Sequence, residues 1–364
     1  MQINAVYVIV KLVERCNLNC SYCYYYAPNN QEVYERPSLS TPEQLRSLIS
    51  YMKEAVVTQG LKRVVFGLHG GEPTLAKASS VREFCALAVE ELGTLTSVGF
   101  TLQTNAVHLS TDWLALIADY RMGVGVSIDG DKTAHDKYRV DHRGRGSYDR
   151  VTSNLGKLLE LDRANKCRLT VLAVMSDEFN GVEHYRHITE TLGVRRVKPL
   201  FVDRTQQDPL SEPESDNLGE KLCELFDYWL ENHSRTVEVT LFNTIVKELL
   251  ANKHNLRGSR DRITLGFAFL SDGRVRIQDD FIITDSWYAT QHELYTSGST
   301  FSQYVDQPHL QQLIKGLSAP PAACAECEFS SVCAGGEVAH RYSHANTFDN
   351  VSVYCRPLYM LHRH

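Results

Sequence analysis

The sequence has no long hydrophobic run, no block of basic residues, no low-complexity tract and no internal repeat. Its longest apolar stretch near the N-terminus, residues 5–10, is far shorter than the ~20 residues that span a bilayer. That stretch continues into Lys11 and Glu14 without the small-residue cleavage site of an export signal. These absences argue against a membrane-bound or secreted protein, and we expect a cytoplasmic one.

Charged residues of both signs are spread along the 364 residues, and the formal net charge is −6. A chain without a basic patch lacks the cations that neutralise nucleic-acid phosphates. We therefore expect no nucleic-acid partner.

Ten cysteines are present, and seven of them fall into two clusters. Because nothing resembles an export signal, metal ligation in a reducing cytoplasm explains this spacing better than disulfides do. The other three, Cys85, Cys167 and Cys223, lie in apolar contexts and are predicted to be small core residues.

Short apolar runs alternate with stretches of helical periodicity up to about residue 202, which is the pattern of repeated β/α units around a parallel sheet. Six strands are predicted, at residues 5–12, 62–68, 98–104, 122–128, 167–175 and 194–202. The segment 40–43, Ser-Thr-Pro-Glu, is a typical helix start. The predicted fold class is α/β, with a partial (β/α)6 barrel similar to a TIM barrel.

The pattern changes after two further predicted helices, at residues 215–231 and 243–252. A hairpin follows, with strands at 263–270 and 274–278 around a Ser-Asp-Gly turn. We therefore predict a domain boundary near residue 235, which separates a domain of residues 1–235 from one of residues 236–364.

The first cysteine cluster has the spacing C-x3-C-x2-C, formed by Cys16, Cys20 and Cys23 directly after the first strand. Three thiolates on one short loop can hold three irons of a [4Fe–4S] cluster and leave the fourth iron open for a reacting ligand. Zinc is the alternative, although a structural zinc site needs four ligands and this loop supplies three.

This motif, followed by an aromatic-rich stretch, resembles the signature of the radical S-adenosylmethionine (SAM) superfamily. The resemblance implies that SAM chelates the open iron and is cleaved reductively to methionine and a 5′-deoxyadenosyl radical. It also implies that Tyr22 packs against the adenine ring. A plain core role for this tyrosine is the alternative.

The second predicted strand ends in Gly70-Gly71-Glu72-Pro73, which resembles the GGEP motif that binds the SAM amino group. Glycines let a backbone approach a ligand closely, and a carboxylate can accept hydrogen bonds from an ammonium group.

Further polar residues end the third and fourth predicted strands, where they are candidate SAM ligands or ordinary helix caps: Gln103, Asn105, Ser127 and Asp129. By resemblance to peptide-modifying radical SAM enzymes, Ser127 and Arg139 match positions that contact SAM. Arginine suits a carboxylate because its guanidinium group can donate two parallel hydrogen bonds.

The second cluster consists of four C-terminal cysteines, which can close the coordination of a further [4Fe–4S] cluster that cannot bind SAM or, alternatively, of zinc. They are Cys324, Cys327, Cys333 and Cys355. The segment resembles the SPASM domain of peptide-modifying radical SAM enzymes. It departs from that pattern at Gln278 and Glu337, where cysteines are expected. These departures remove ligands of the family's other auxiliary cluster, so we expect two [4Fe–4S] clusters and not three.

Asp279, next to Gln278, matches the position of a proposed general base in sulfatase maturases. A carboxylate facing a cavity could take the proton released when a substrate radical is oxidised. A solvated turn carboxylate is the alternative of equal weight.

Three segments, at residues 97–106, 124–151 and 335–355, look most like the maturases that form cyclophanes in ribosomally made peptides. The resemblance implies Cβ–H abstraction, carbon–carbon bonding to an aromatic ring, a precursor-peptide substrate and an electron donor such as flavodoxin or ferredoxin. Only fifteen residues precede Cys16, so we expect no separate leader-binding module there. The alternatives are an anaerobic sulfatase maturase that forms formylglycine, and a non-catalytic metal-binding scaffold.

Overall fold

The computed structural model describes residues 2–26, 30–176, 179–253 and 262–364. Within these ranges, no helix has both the length and the apolar character needed to cross a membrane.

The described strands form one sheet, in the order β10-β9-β8-β1-β2-β3-β4-β5-β6-β7. The strands are β1 Gln2–Val13, β2 Arg63–Gly70, β3 Ser97–Thr104, β4 Gly123–Ser127, β5 Arg168–Met175, β6 Arg196–Phe201, β7 Glu238–Val239, β8 Arg262–Phe269, β9 Arg274–Ile277 and β10 Leu294–Tyr295. The six predicted barrel strands are confirmed as β1 to β6, and the α/β class with a parallel sheet is confirmed with them.

Helices follow most of the parallel strands. They are α1 Glu32–Glu35, α2 Pro42–Gln59, α3 Ala78–Leu92, α4 Thr111–Asp119, α5 Lys132–Tyr138, α6 Tyr148–Arg163, α7 Gly181–Arg186, α8 Glu212–Asn232, α9 Thr240–Lys253, α10 Ser286–Ala289, α11 Phe301–Val305, α12 Pro308–Ser318, α13 Ser330–Cys333 and α14 Cys355–Arg363. The predicted start of α2 is confirmed, because Thr41 and Gln44 form a capping box and Pro42 opens the helix.

Strand β1 lies in the middle of the described sheet, with β2 on one side and β8 on the other. It pairs in parallel with β2, where Val8 lies beside Phe66, and with β8, where Val8 lies beside Phe267. All three side chains are fully buried. Burial on both faces explains why the strand is an almost continuous apolar run.

The predicted hairpin is confirmed as β8 and β9, which pair antiparallel. The pairing of β8 with β1 adds the hairpin to the edge of the barrel sheet, which the sequence pattern did not indicate. The boundary near residue 235 stays a prediction.

The C-terminal helix α14 packs on α8. Met360 and Pro357 lie against Gly219, and Arg356 donates to Asp216 at 2.5 and 2.8 Å. This contact holds the C-terminal cysteine segment against the barrel.

Candidate active site

A cavity of about 730 Å³ lies at the carboxyl ends of the barrel strands. Eleven of the predicted site residues line it: Cys16, Cys20, Tyr22, Cys23, Gly70, Gly71, Glu72, Gln103, Asn105, Ser127 and Arg139. In parallel β/α folds this end of the sheet is where ligands bind, because loops and helix N-termini converge there.

The three N-terminal cysteines are unpaired and half-buried at the cavity wall. Burial raises the pKa of the Cys16 thiol to about 12 and raises that of Cys20 despite the nearby Arg139. Thiolates at these positions therefore need a bound cation. No three metal-binding side chains of the described ranges converge closely enough for a single ion. Three thiols can hold a [4Fe–4S] cluster with one iron open, whereas a structural zinc site needs four ligands.

The Gly70-Gly71 pair lies directly against the backbone that leads into the cysteine loop, residues 16–23. The Gly71 amide donates to the carbonyl oxygen of Val13 at 2.7 Å, and the Glu72 amide donates to that of Arg15 at 2.9 Å. A Cβ atom at Gly71 would overlap the Arg15 carbonyl group and the Tyr26 hydroxyl group. The glycines are therefore needed to bring the two loops together.

The Glu72 carboxylate is buried and accepts four hydrogen bonds. Its Oε1 accepts from the Thr74 amide at 3.1 Å, the Thr74 hydroxyl at 2.5 Å and the Thr104 hydroxyl at 2.7 Å. Its Oε2 accepts from the Asn105 amide at 2.7 Å. An ammonium group in the cavity would compete with these internal donors. Pro73 begins a short 3-10 helix and is buried behind the cavity.

Asn105 links this carboxylate to the cysteine loop. Its side-chain amide donates to Asn17 Oδ1 at 2.7 Å and lies 3.6 Å from the Cys16 sulfur. These hydrogen bonds connect Glu72 through Asn105 to Cys16, and they therefore fix the first thiol relative to the ends of β2 and β3.

Tyr22, Asp129 and Arg139 form one hydrogen-bonded group beside the cysteine loop. The Tyr22 hydroxyl donates to Asp129 and accepts from Arg139 Nη1 at 2.7 Å. Asp129 also accepts from the Val174 amide at 3.1 Å, and it lies behind the cavity surface. The Nε of Arg139 is buried with no hydrogen-bond partner among the described residues. An unsatisfied guanidinium donor at the cavity fits the carboxylate of SAM.

Gln103 and Ser127 meet at the cavity surface, where the Gln103 amide donates to the Ser127 hydroxyl at 3.1 Å. Both keep further hydrogen-bonding capacity for a ligand.

Asp279 lies behind the cavity surface, paired with the fully buried Lys11 of β1. Tyr24, which lines the cavity, donates to the same carboxylate at 3.2 Å. Burial raises the pKa of Asp279, but Lys11, His69 and the hydrogen bonds to the carboxylate together outweigh burial and hold that pKa below its ordinary value. Lys11 also lies 3.3 Å from His69 Nδ1, and burial lowers the pKa of this histidine to about 4.

Three acids that the sequence analysis did not select face the cavity, and we call them the carboxylate face: Asp203, Asp280 and Glu337. Burial, followed by the neighbouring acids, raises the pKa of Asp203 and that of Asp280 to about 7. Gln278 lines the same part of the cavity. The two positions that depart from the SPASM pattern, 278 and 337, thus share one wall.

The four C-terminal cysteines surround a second cavity of about 30 Å³. It is lined by Cys324, Cys327, Cys333 and Cys355, with Phe329, Leu358 and Tyr359 among their neighbours. All four thiols are unpaired. Their arrangement around a cavity gives the donor set of a four-thiolate cluster.

Residues 10–182 match the model of the Radical SAM superfamily. This part of the chain is therefore similar to a radical SAM domain. The cofactors implied for such a domain are SAM and one [4Fe–4S] cluster, and the cysteine loop, with the unsatisfied Arg139, fits them.

Relatives with established names match nearly the whole chain. It is 26% identical over 352 residues to the cysteine-type anaerobic sulfatase-maturating enzyme of Clostridium novyi, covering 93% of this chain and 89% of that protein. It is 24% identical over 389 residues to the serine-type enzyme of Bacteroides thetaiotaomicron, covering 99% and 89%. The structure of native anSMEcpe with bound AdoMet and Kp18Cys peptide shares the fold, with a TM-score of 0.79, 20% identity and coverage of 99% and 96%.

The expectation of cyclophane formation is contradicted by these relatives. They are named sulfatase-maturating enzymes, and the similarity covers almost their whole length. Two of the segments that suggested cyclophane chemistry contain candidate SAM ligands, namely Gln103, Asn105, Ser127, Asp129 and Arg139. A resemblance in such segments concerns the cofactor and carries little information on the substrate.

We predict that Gly71→Ala destabilises the protein, because the added Cβ overlaps backbone that cannot move away independently. Overpacking of this kind costs about 1–3 kcal/mol of unfolding free energy. The control is Gly156→Ala in α6, where the added Cβ has open space and alanine favours the helix by up to about 1 kcal/mol. Urea unfolding measures both, and equal stabilities of the two variants would contradict the prediction.

We predict that Lys11→Met lowers the unfolding free energy by about 3–5 kcal/mol at neutral pH, because it leaves Asp279 as a lone buried carboxylate. Adding Asp279→Asn should recover part of the loss. Arg46→Met, which breaks an exposed pair with Glu43, is the control and should have no measurable effect.

The loss in Lys11→Met should depend on pH. The lowered pKa of Asp279 in the parent gives stability that is present above the unfolded pKa of about 4 and is lost as the pH falls. In the variant, the lone buried carboxylate destabilises the protein while it is ionised, and this loss of stability disappears when the carboxylate is protonated at low pH. Urea unfolding should therefore show the gap between parent and variant narrowing toward pH 4, and a widening gap would argue against the ion pair.

Proposed function

We propose that this chain is an anaerobic sulfatase-maturating type of radical SAM enzyme, which oxidises a cysteine, or alternatively a serine, of a protein substrate to formylglycine. The cysteine form is preferred because the cysteine-type relative from Clostridium novyi has the higher identity, 26% against 24% for the serine-type relative from Bacteroides thetaiotaomicron. The cavity volume of about 730 Å³ leaves room for SAM and a peptide segment together.

One observation carries the proposal: a single cavity brings the three-thiol loop, an unsatisfied arginine and several carboxylates together. The thiols of the loop lie on one wall, Arg139 lies beside them and the carboxylate face lies on another wall. Radical abstraction followed by deprotonation needs both sets of groups around one substrate.

When bound, the cluster and SAM would supply the radical chemistry that removes a hydrogen atom from the β-carbon of the target side chain. Loss of a further electron and a proton then gives the aldehyde from serine or a thioaldehyde from cysteine, and water replaces the sulfur of the thioaldehyde, which leaves as hydrogen sulfide. The protein's own residues then have three tasks. Cys16, Cys20 and Cys23 hold the cluster as thiolates. Arg139, with Gln103 and Ser127, would orient SAM, and the aromatic wall at Tyr22, Tyr24 and Tyr26 would exclude water.

Asp279 is the proposed proton acceptor. Its lowered pKa keeps the carboxylate ionised at neutral pH, and Tyr24 connects it to the cavity at 3.2 Å. Asp280 is a competing candidate, because it faces the cavity directly and its pKa of about 7 suits proton transfer.

A second [4Fe–4S] cluster is proposed at the four C-terminal cysteines, where it would accept the electron that leaves the substrate. The loss of cysteine at positions 278 and 337 leaves no thiols for another cluster at the cavity wall, where Gln278 and Glu337 lie instead. A flavodoxin or ferredoxin would be the external electron donor.

The test is anaerobic incubation of the reconstituted protein with SAM, a reductant and matched peptides that carry cysteine, serine or alanine at the target position. Formylglycine formation should lower the peptide mass by about 18 Da from cysteine or about 2 Da from serine, with the change localised by fragmentation. The alanine peptide should be unchanged. Formation of 5′-deoxyadenosine with all peptides unchanged would refute the substrate class and leave the radical SAM domain intact.

We predict that Asp279→Asn lowers formylglycine formation about 100-fold or more, because general-base catalysis contributes about that much. Formation of 5′-deoxyadenosine should continue, since hydrogen abstraction precedes proton loss. The control is Asp280→Asn, which should retain more product. Liquid chromatography of nucleoside and peptide from the same reactions measures both, and the reverse order of losses would assign the role to Asp280.

A further inference from the structure

The wall between the two cavities consists of a tight turn after Cys333. Ala334, Gly335 and Gly336 all have positive φ, at 54°, 85° and 74°. Ala334 and Gly336 line the large cavity, whereas Gly335 lines the four-cysteine cavity. Only this turn separates the two spaces there.

Arg341 holds the turn in place. Its guanidinium group donates to the carbonyl oxygens of Gly335 at 3.0 Å, Ala334 at 2.8 Å and Gly336 at 2.5 Å. A fourth bond, at 3.1 Å, reaches Gly316 in the last turn of α12. The carbonyl groups of the turn point at Arg341, and the amides of Gly335 and Gly336 lie within hydrogen-bonding reach of the Cys333 sulfur. The Gly336 amide also donates to the carbonyl oxygen of Cys333 at 3.1 Å.

The charge of Arg341 has no carboxylate partner among the described residues. Its exposed fraction is 3%, and its hydrogen-bond acceptors are neutral carbonyl groups. The charged groups within its electrostatic reach are the sulfurs of Cys324 and Cys333. An isolated buried cation is unfavourable, so the arrangement fits an anion held at these cysteines.

We infer that Arg341 is a positioning residue that raises the reduction potential of the cluster at the four C-terminal cysteines. The inference rests on the second cluster in the proposed function. A cluster held by four thiolates is anionic and gains one more negative charge on reduction, so a buried cation and two amide donors favour the reduced form.

The raised reduction potential helps the C-terminal cluster to accept the electron that the substrate loses in the proposed reaction. The substrate radical loses one electron across the turn and one proton to a carboxylate, and the cluster gains that electron. A higher potential makes this transfer more favourable.

The experiment compares Arg341→Gln, Arg341→Lys and Arg356→Gln in the chain with both clusters. Arg356 is the matched control, because it follows the ligand Cys355 directly but is exposed and paired with Asp216. Potentiometric titration would follow the electron paramagnetic resonance signal that SAM leaves unchanged, and iron analysis would report loading.

Arg341→Gln should retain about eight irons per chain and shift the reduction equilibrium at least tenfold toward the oxidised cluster. Tenfold corresponds to about 59 mV for one electron. Arg341→Lys and Arg356→Gln should each shift it less than tenfold. Fully loaded Arg341→Gln with an unchanged potential would overturn the inference.

If Arg341→Gln loses iron, the test uses Arg341→Lys instead. A reduction equilibrium of the C-terminal cluster within tenfold of that in the parent supports the inference. A larger drop, or loss of iron from that variant too, overturns it. A parent whose iron content does not fall on Cys324→Ala would also overturn it, since no second cluster would exist. Unmodified peptides with the expected shift in potential would refute the proposed substrate and leave the role of Arg341 standing.

Discussion

The buried carboxylate of Glu72 is the constraint on which the cavity depends. Its four hydrogen bonds join the turn after β2 to the end of β3, and Asn105 extends the network to the cysteine loop. A buried carboxylate is costly unless all its acceptor positions are used, so these loops have few alternative arrangements. The position of Cys16 is therefore set by groups that are far apart in the sequence.

A second layer of paired polar groups lies behind the cavity surface. Lys11 pairs with Asp279 on one side, and Tyr22 lies between Asp129 and Arg139 on the other. Pairing offsets the desolvation of each group, and it leaves the cavity surface with specific donors and acceptors. A buried polar group also lies behind the surface of the second cavity, where Arg341 orders a turn by donating hydrogen bonds to the carbonyl groups of the turn.

The sequence predicts what depends on local pattern. Short apolar runs located the barrel strands. The cysteine and GGEP motifs, the polar strand ends and the resemblance at Arg139 together located eleven residues that share one cavity. Contacts between distant segments were not predictable: β8 pairs with β1, and Lys11 pairs with Asp279 across 268 positions. A lysine inside an apolar strand was a signal that a buried anion lies nearby. The carboxylate face offered no such signal, since its three acids come together only in the folded chain.

The central claim is that the cysteine loop holds a cluster whose open iron binds SAM. Electron paramagnetic resonance of the reduced chain carrying Cys324→Ala, recorded with and without SAM, tests it most directly. We expect a cluster signal whose g-values change when SAM is added and that is absent when Cys16, Cys20 and Cys23 are replaced by alanine. A signal that SAM leaves unchanged would contradict it.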